Sequence, residues 1–255
     1  MIDFNHRHAG HCESGTVAAL LRHEGLNLSE PMVFGIGGGL FFLHQPLIRM
    51  GGIPLTSYRD APRAIIKNVG KRLGIHWRQH RYRREQSGRR ALDEFLAAGK
   101  PVGIQTSVYW LPYFPVEMRF HFNGHNLVVY GKQGNDYLLS DPVVETTVTC
   151  HADDLQRARF AKGPFAPRGL IYYPEQVPRD LDVRLAVRDA IRTTARRMTS
   201  IPIPFLGVRG IHWLANKMPR WPEKLGIDKA RLWVGSVVRM QEEIGTGGAG
   251  FRFMY

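Results

Sequence analysis

The order of helical and strand-like patterns along the chain constrains its fold more than any other sequence feature. Up to residue 98 the apolar residues recur mostly at helical spacing, whereas residues 102–173 contain short runs rich in Val, Leu, Ile and Tyr. Helical spacing returns after Pro178. Helices, then a mostly antiparallel sheet, then helices predict an α+β fold. We therefore expect an α+β domain over residues 1–178 and a helical region over residues 179–255.

The first half of this plan begins with a helix from Cys12 to about His23, which ends before Gly25. Its inner face is expected to carry Val17, Leu20 and Leu21. Residues 61–75 and 88–98 also have amphipathic helical patterns. The inner face of the second of these is predicted to consist of Ala91, Leu92, Phe95 and Leu96.

The strands are predicted from short β-branched and aromatic runs. Residues 124–130 and 137–139 are expected to form a hairpin that turns about Gln133. Further strands are expected at residues 102–108, 143–149 and 170–173. The C-terminal region is predicted to hold helices at residues 180–198 and 228–243, the first with Leu185, Ile191 and Met198 facing inward.

Charge and cysteine content limit the classes of function and compartment. The chain has 35 Lys and Arg against 22 Asp and Glu, and its net charge of +13 attracts polyanions such as nucleic acid, anionic membrane or an acidic protein. Arginines cluster at residues 78–90 and 179–197. Two cysteines are too few for a disulfide framework, which favours a reducing compartment. With no secretory signal and no apolar run of ~18 residues, we expect a cytoplasmic protein without a membrane span.

Cys12 lies at the predicted start of the first helix, within Gly10-His11-Cys12-Glu13. A thiolate, not a thiol, is the nucleophile, and the partial positive charge of a helix N-terminus favours the anion. The free N–H groups of the first turn also supply donors for a developing oxyanion. This position therefore suits a catalytic cysteine, although a lone cysteine at a helix start is more often structural.

His125 and Asp141 supply the rest of a possible catalytic set. In the predicted hairpin, residue 129 faces 137 and residue 125 faces 141, and directly opposed residues share one face of a sheet. Asp141 would then accept from one imidazole nitrogen of His125 while the other faces Cys12. This is the nucleophile, base and orienting acid arrangement of a catalytic triad. A β-bulge in either strand would break this register.

These residues resemble known families. A cysteine at a helix start, followed by Gly-His at the head of an apolar strand and then Asp-Pro, resembles the papain-like cysteine peptidase superfamily, especially peptidases that process bacteriocin leaders. A closer resemblance, to the butirosin-biosynthesis H family, covers nearly the whole chain. It is carried by these segments: 9–12, 28–30, 33–40, Tyr109-Trp110-Leu111-Pro112-Tyr113, His125 and Gly245-Thr246-Gly247-Gly248-Ala249-Gly250-Phe251-Arg252.

The resemblance implies a cysteine-dependent acyltransferase in natural-product or lipid biosynthesis. Members of this kind move an acyl group from the phosphopantetheine arm of an acyl carrier protein to an amine of a small molecule. Cys12 and His125 match the catalytic cysteine and histidine, and Asp141 matches the acid. The arm acts as the acyl donor, and we expect no bound cofactor and no metal. The partners implied are an acidic carrier protein, or CoA, and a small-molecule acceptor.

Two departures from the family pattern affect the secondary sites. Papain-like enzymes usually have a Gln six residues before the cysteine as an oxyanion donor, and here that position is His6. We take His6 and Asn126 as oxyanion candidates. Family members also usually continue beyond the glycine-rich motif, whereas this sequence ends at Tyr255, which leaves the role of the C-terminal region open.

The glycine run at residues 35–39 and the aromatic stretch at residues 109–114 are candidates for a dry acyl channel. Its candidate lining residues are Gly37, Gly38, Tyr109 and Tyr113. The run lacks a preceding strand and its last glycine is replaced by Leu40, so it does not match a dinucleotide-binding fingerprint. A tight turn where backbone approaches backbone is the simpler interpretation, and ordinary core packing is an alternative for both segments.

Several other functions remain open on the sequence. A peptidase, amidase or thioesterase would use the same residues with water as the acceptor. The group His6, His8, His11 and Cys12 is rich in metal-binding side chains, but its spacing matches no standard zinc module. The basic charge alone suits nucleic-acid binding, yet no nucleic-acid motif is present and we expect no specific binding. A binding module without activity is disfavoured by the presence of all three catalytic residues.

Overall fold

The structure is a computed structural model that describes residues 2–243 and 248–254. Gly245, Thr246 and Gly247 of the glycine-rich motif lie outside the described residues. Within this part of the chain the helices are α1 (Cys12–His23), α2 (Glu30–Ile36), α3 (Ala64–Leu73), α4 (Glu85–Ala97), α5 (Ala152–Arg159), α6 (Val183–Ser200), α7 (Gly207–Lys217), α8 (Trp221–Leu225) and α9 (Ile227–Glu242). The strands are β1 (Leu40–Met50), β2 (Ile53–Arg59), β3 (His76–His80), β4 (Val102–Thr106), β5 (His125–Gln133), β6 (Asp136–Ser140), β7 (Val148–His151) and β8 (Ile171–Gln176).

The chain forms two compact units, and each is built from two separate segments. The first unit comprises Met1–Val33 and Val69–Leu181, and the second comprises Phe34–Asn68 and Asp182–Tyr255. The predicted division at residues 178 and 179 assigned residues 34–68 to the first part. They group with the C-terminal segment because β1 and β2 form a two-stranded sheet of their own that contacts α7 and α9.

A six-stranded antiparallel sheet forms the centre of the first unit, with the strand order β3-β8-β4-β5-β6-β7. The expected α+β class, with an N-terminal helix that carries Cys12 and packs on an antiparallel sheet, is confirmed, because α1 contacts the three strands β4, β5 and β8. β3 was missed in the sequence because its His, Arg and Gln residues do not resemble a buried strand. The predicted strand at residues 143–149 is limited to β7, since a turn follows Pro142.

The central strands carry apolar residues that alternate between the two faces of the sheet. Leu127 and Val129 of β5 join a buried cluster with Leu92 of α4 and Leu155 of α5. The residue before Leu127, Asn126, contacts the hydroxyl of Tyr172 instead. Because both faces are covered, strands such as β4 are buried at every residue. The predicted inner face of α4 is confirmed by this packing.

Helix α1 has the bounds that its sequence predicts and is buried from its first residue through Leu21. The predicted inner residues Val17, Leu20 and Leu21 are all buried. The chain turns away after the helix at Gly25, which has a φ of 88°. Such a left-handed conformation is accessible to glycine without a steric penalty, so this residue acts as the expected C-terminal stop.

The β5–β6 hairpin forms as predicted, but its register differs from the predicted one. Val129 pairs with Leu139, not with residue 137, and a bulge separates the pairs at Val129 and Gly131. The turn lies at Gly134, whose φ is 59°. Continuing this register past Ser140 would set Asp141 opposite residue 127, so His125 and Asp141 are diagonal neighbours and not directly opposed. The position of the turn is the physical cause, because Gln133 pairs with Asp136 and the hairpin therefore turns at residues 134–135 and not about Gln133. The bulge in β5 offsets only one residue of that shift.

The second unit combines the β1–β2 hairpin with the helices α6 to α9. Its buried cluster contains Phe42 from β1, and Leu214, Trp221, Ala230, Trp233 and Val237 from the helices. The hairpin was missed in the sequence because Gly51 and Gly52, which form its turn with φ values of 57° and 84°, follow a stretch with no clear alternation. Of the described helices, none combines the length and apolar character that a membrane crossing requires.

The inner face of α6 differs from the predicted one. Leu185 and Ile191 are 61% and 52% exposed, and the buried residues of this helix are Ala186, Ala190 and Thr194. These three positions repeat every four residues and define one helical face. Small side chains there allow close packing, and the large apolar residues lie on other faces. Of the three residues predicted to face inward, only Met198 packs against the buried cluster.

The glycines of the second unit give a paired test of this packing. An added Cβ at Gly250, whose φ is 57°, would lie 2.7 Å from the Tyr58 ring, whereas an added Cβ at Gly235 in α9 would meet nothing within 4 Å. We expect Gly250→Ala to lower the free energy of unfolding by about 1–3 kcal/mol. We expect Gly235→Ala to raise it by about 0.5–1 kcal/mol. Thermal and urea unfolding measure the change in the free energy of unfolding of each variant. Equal changes in the two variants would contradict the packing at Gly250 and Gly235.

Candidate active site

Cys12 is the first residue of α1, and its side chain is buried within the first unit, with 7% of the residue exposed. The preceding residue, His11, has an extended backbone and caps the helix, because its Nδ1 accepts a hydrogen bond from the Ser14 N–H over 3.3 Å. The N–H groups of a first helical turn lack acceptors within the helix. The sulfur therefore lies at the end of a helix that favours negative charge, as the sequence predicts.

His125 begins β5 and is oriented by Asp141 through a buried hydrogen bond. The imidazole Nε2 lies 2.6 Å from Asp141 Oδ2, and the two side chains are 5% and 0% exposed. Cys12 is a second hydrogen-bonding partner of the same imidazole. Since Nε2 is used by Asp141, Nδ1 is the nitrogen available to the sulfur. The structure thus brings the three predicted residues together despite the altered hairpin register.

The Asp141 carboxylate accepts two further hydrogen bonds. Tyr113 donates its hydroxyl to Oδ2 over 2.6 Å, and the Val143 N–H donates to Oδ1 over 3.2 Å. A buried carboxylate is costly unless it is hydrogen bonded, so these donors offset the cost of burying Asp141. Tyr113 was predicted to line a channel. The structure instead gives its hydroxyl a contact with the catalytic candidate Asp141.

The charges in this group control the protonation of His125. Burial by itself lowers the pKa of His125, but the Asp141 carboxylate and the Cys12 side chain outweigh burial and raise that pKa well above its usual range. The imidazole is therefore held in its protonated form through neutral pH. A cationic imidazole beside a cysteine favours the thiolate, which is the reactive species.

A carboxylate that the sequence analysis did not single out fixes the chain ahead of Cys12. Glu30 accepts from the N–H groups of Gly10 and His11, each over 2.8 Å, and from the Ser14 hydroxyl over 3.0 Å. Burial raises the pKa of Glu30, and these three donors partly oppose that rise. The signal was present in the segment Leu28-Ser29-Glu30, where an acidic residue stands at the start of α2.

Tyr172 is a second neighbour of Cys12 that was missed. It lies on β8, is fully buried, and donates its hydroxyl to Asn126 Oδ1 over 3.0 Å. Burial, followed by the nearby Glu13 and Cys12, raises the pKa of Tyr172 well above its usual range. Tyr172 therefore stays neutral at physiological pH. No spacing in the sequence connects residues 172 and 12, because only the sheet order makes them neighbours.

The two oxyanion candidates have other contacts in the structure. His6 Nε2 lies 3.1 Å from the Val144 carbonyl, which can only accept, and Nδ1 lies 2.8 Å from Ser140 Oγ. A neutral imidazole has one N–H, and here Val144 uses it. Asn126 is fully buried, and its Nδ2 donates to the Gly124 carbonyl over 2.9 Å. These contacts argue against an oxyanion role for His6 and give Asn126 a structural one.

The predicted channel residues belong to two different units. Gly37 and Gly38 belong to the second unit, where they end α2: Gly38 has a φ of 61°, and its N–H bonds to the Gly35 carbonyl. An added Cβ at Gly39 would lie 2.5 Å from the Phe34 ring. This is the predicted tight turn with close packing. Tyr109, in the first unit, is 40% exposed, and its ring stacks on His121 at 4.0 Å.

The second thiol has a different environment. Cys150 is buried on β7 within the apolar cluster of the first unit. Burial, with Asp154 and Asp136 as lesser causes, raises the pKa of Cys150 to about 12, so it stays protonated at neutral pH. Within the described residues, no group of three or more His, Cys, Asp and Glu side chains is arranged to hold a metal ion. The cluster at His6, His8, His11 and Cys12 therefore does not form the alternative metal site.

Comparison with protein families identifies the chain. The family described as butirosin biosynthesis protein H, N-terminal, matches residues 11–142, slightly more than half of the chain. The chain belongs to this family. The matched range includes Cys12, His125 and Asp141. A second family, described as a domain of unknown function, matches residues 153–255. Family and fold together support a cysteine-dependent enzyme that works by acyl transfer or hydrolysis.

Comparisons with individual proteins add less. No curated protein matches the chain. The peptidase domain of Streptococcus ComA, a bi-functional ABC transporter involved in a quorum sensing pathway, is 15% identical with a TM-score of 0.42, over 68% of this chain and 100% of that domain. A putative C39-like peptidase from Bacillus anthracis is 13% identical with a TM-score of 0.46, over 69% of this chain and 96% of that one.

The contrast between the two thiols predicts selective alkylation. At pH 7.5 iodoacetamide is expected to modify Cys12, because its sulfur lies beside the His125 imidazolium at the N-terminus of α1, and to spare the protonated, buried Cys150. Intact-protein mass spectrometry should find one adduct on the wild type and on Cys150→Ala, and none on Cys12→Ala. A labelled Cys12→Ala protein would show that Cys150 is the reactive thiol.

The raised pKa of His125 predicts how alkylation of Cys12 depends on pH. The Asp141 carboxylate raises the pKa of His125, and burial lowers it. In Asp141→Asn the effect of burial is largely unopposed, so His125 loses its proton at a lower pH. We expect alkylation near pH 6 to 7 to slow by about tenfold or more, since one pKa unit changes a protonation ratio tenfold. The rate is measured from pH 5.5 to 9.

The exposed Asp136, on the same hairpin, supplies the matched control. Asp136→Asn removes the same charge without altering a contact of His125. We expect its alkylation rate to depend on pH as in the wild type. If Asp141→Asn and the wild type share one profile, Asp141 does not control the charge of His125.

Proposed function

We propose that the protein is an acyltransferase. It takes an acyl group from the thioester of a carrier protein or of CoA, holds it on Cys12, and passes it to an amine or hydroxyl of a small molecule. The observation that carries this proposal is the chain of contacts from Cys12 to His125 and from His125 to Asp141, with a distance of 2.6 Å in the second contact. Such a chain activates a thiol for attack on an acyl carbon.

The first half-reaction forms the acyl-enzyme. The Cys12 thiolate attacks the thioester carbonyl carbon, and the carbonyl oxygen gains negative charge. The backbone N–H of Cys12, at the free end of α1, is positioned to donate to that oxygen. The carbon–sulfur bond to the donor then breaks. The leaving thiolate takes the proton of the His125 imidazolium, which leaves an acyl-Cys12 thioester and a neutral imidazole.

The second half-reaction transfers the acyl group. Neutral His125 accepts a proton from the acceptor amine or hydroxyl as that group attacks acyl-Cys12. The bond to Cys12 breaks, so the sulfur leaves as a thiolate beside the newly formed imidazolium. Asp141 stabilises that cation and keeps Nδ1 directed toward the sulfur. The product amide or ester departs and the starting charge state is restored.

Exclusion of water decides between transfer and hydrolysis, because both share the acyl-enzyme. Cys12, His125 and Asp141 are 7%, 4% and 0% exposed, so little solvent reaches them before substrate binds. This burial, together with the family assignment, supports transfer. A hydrolase that uses the same residues is the alternative, and it would release the acyl group as a carboxylic acid.

The acyl-enzyme can be tested directly. The protein is incubated with acyl-CoA, an acylated carrier protein or an acyl-N-acetylcysteamine thioester, and its intact mass is measured. We expect a mass increase equal to the acyl group on the wild type and on Cys150→Ala. Cys12→Ala should gain none, and His125→Ala should acylate at least about a hundredfold more slowly, as is typical when a general acid or base is lost.

The fate of the adduct then separates the two reactions. The acylated protein is freed of donor and mixed with buffer alone or with a panel of primary amines. Faster decay with amine and formation of the amide would support transfer. Decay at one rate in every mixture, with only the free acid released, would support the hydrolase. An adduct that forms equally on Cys12→Ala would contradict both.

A further inference from the structure

A basic cleft of about 650 Å³ lies in the first unit, apart from the residues of the proposed chemistry. It is bordered by the segment that follows β3 and by the loop that follows α5. Its lining residues are Arg81, Tyr82, Arg83, Phe160, Ala161, Lys162, Gly163, Ala166 and Arg168. The volume is in the range of about 300–1,000 Å³ that is typical of small-molecule sites. We call this feature the basic cleft.

The charge of the basic cleft has one sign. Four of its lining residues are exposed cations, namely Arg81, Arg83, Lys162 and Arg168, and among the described residues that line it none is acidic. A fifth cation, Arg159, is buried behind it, with its guanidinium 5.8 Å from the centre of the Phe160 ring. Like charges gathered around a concave surface raise the local concentration of anions.

The floor and rim of the basic cleft are held in place by close packing. An added Cβ at Gly88 or Gly169 would lie 2.7 Å or 2.5 Å from the Phe160 ring, so this ring fits between two glycines. Arg168 has a φ of 53°, an uncommon conformation for a residue with a side chain, and its carbonyl accepts from the Tyr82 N–H over 3.1 Å. Strained residues of this kind are concentrated at binding sites.

The rim of the basic cleft is joined to the segment that carries His125. Asn123, two residues earlier in the chain, is 5% exposed. Its Nδ2 donates to the Lys162 carbonyl over 3.1 Å and to the Pro164 carbonyl over 2.9 Å. The loop that presents Lys162 is thus fixed to the start of β5, where the proposed chemistry takes place. A ligand held in the cleft would lie next to the loop that leads to His125.

We propose that the basic cleft binds the phosphate of the phosphopantetheine arm of the acyl donor. This rests on the proposed function, which requires a thioester donor whose thiol ends such an arm. The arm is flexible and uncharged between its phosphate and its thioester. The phosphate is therefore the part of the arm that a protein can bind most strongly. Arginine side chains match phosphate oxygens with paired hydrogen bonds, and the cleft supplies three of them.

The test measures binding without any chemistry. Cys12→Ser protein is titrated by calorimetry with 4′-phosphopantetheine and with pantetheine, which differ only in the phosphate. We expect phosphopantetheine to bind at least tenfold more tightly. The double variant Arg83→Glu/Lys162→Glu should lose this preference, because charged hydrogen bonds of this kind each contribute about tenfold or more in affinity.

Arg90→Glu/Lys71→Glu is the matched control. It makes the same change of charge at two exposed residues outside the basic cleft. We expect it to retain the preference for phosphopantetheine. Unfolding temperatures of both double variants establish that each is folded. If both double variants lost the preference for phosphopantetheine equally, the preference would come from the overall charge of the protein, and the proposal would be overturned.

Further titrants identify the source of the phosphate. CoA and a phosphopantetheinylated carrier protein carry the same arm, and each should bind with the same dependence on Arg83 and Lys162. Binding of CoA without any preference for phosphopantetheine over pantetheine would mean that the nucleotide is recognised, and would overturn the proposal. So would cleft-dependent binding of a single-stranded oligonucleotide in the absence of phosphopantetheine binding. Because no acyl group is transferred, a protein that fails to acylate Cys12 can still pass or fail this test.

Discussion

The Asp141 carboxylate is the group on which the rest of the candidate site depends. It is completely buried. Burying an ionised carboxylate without hydrogen-bond donors costs on the order of several kcal/mol of folding free energy. Three donors do so: the His125 imidazole, the Tyr113 hydroxyl and the Val143 N–H. The same contacts fix one imidazole nitrogen and leave the other for Cys12. One buried charge thereby sets both the orientation and the protonation of the base.

A second carboxylate organises the other half of the site. Glu30 gathers the Gly10 and His11 N–H groups and the Ser14 hydroxyl, and so determines where α1 begins. Burial raises the pKa of Glu30, and the hydrogen bonds from these three donors partly oppose that rise. The loop ahead of the nucleophile is thus fixed by a carboxylate that takes no part in the proposed chemistry.

The sequence predicts local structure here better than it predicts register and pairing. Helix α1, the β5–β6 hairpin and the α+β class follow from periodicity and turn residues, which act over a few neighbours. The hairpin turns at residues 134–135 instead of at Gln133, and the bulge beside Val129 shifts the register again, so the predicted opposition of residues 125 and 141 was wrong although their contact is present. The inner face of α6 was wrong for a similar reason, since Ala186 and Ala190 pack more closely than Leu185 can.

The discontinuous second unit has a consequence for how this chain is made. Phe42 is synthesised about 180 to 190 residues before the partners of its cluster Trp221 and Trp233. Until then the β1–β2 hairpin has no helices to cover it, and an isolated two-stranded hairpin is marginally stable. Nascent chains would carry exposed aromatic surface until those helices are made. Such intermediates are prone to aggregate and are natural clients for chaperones.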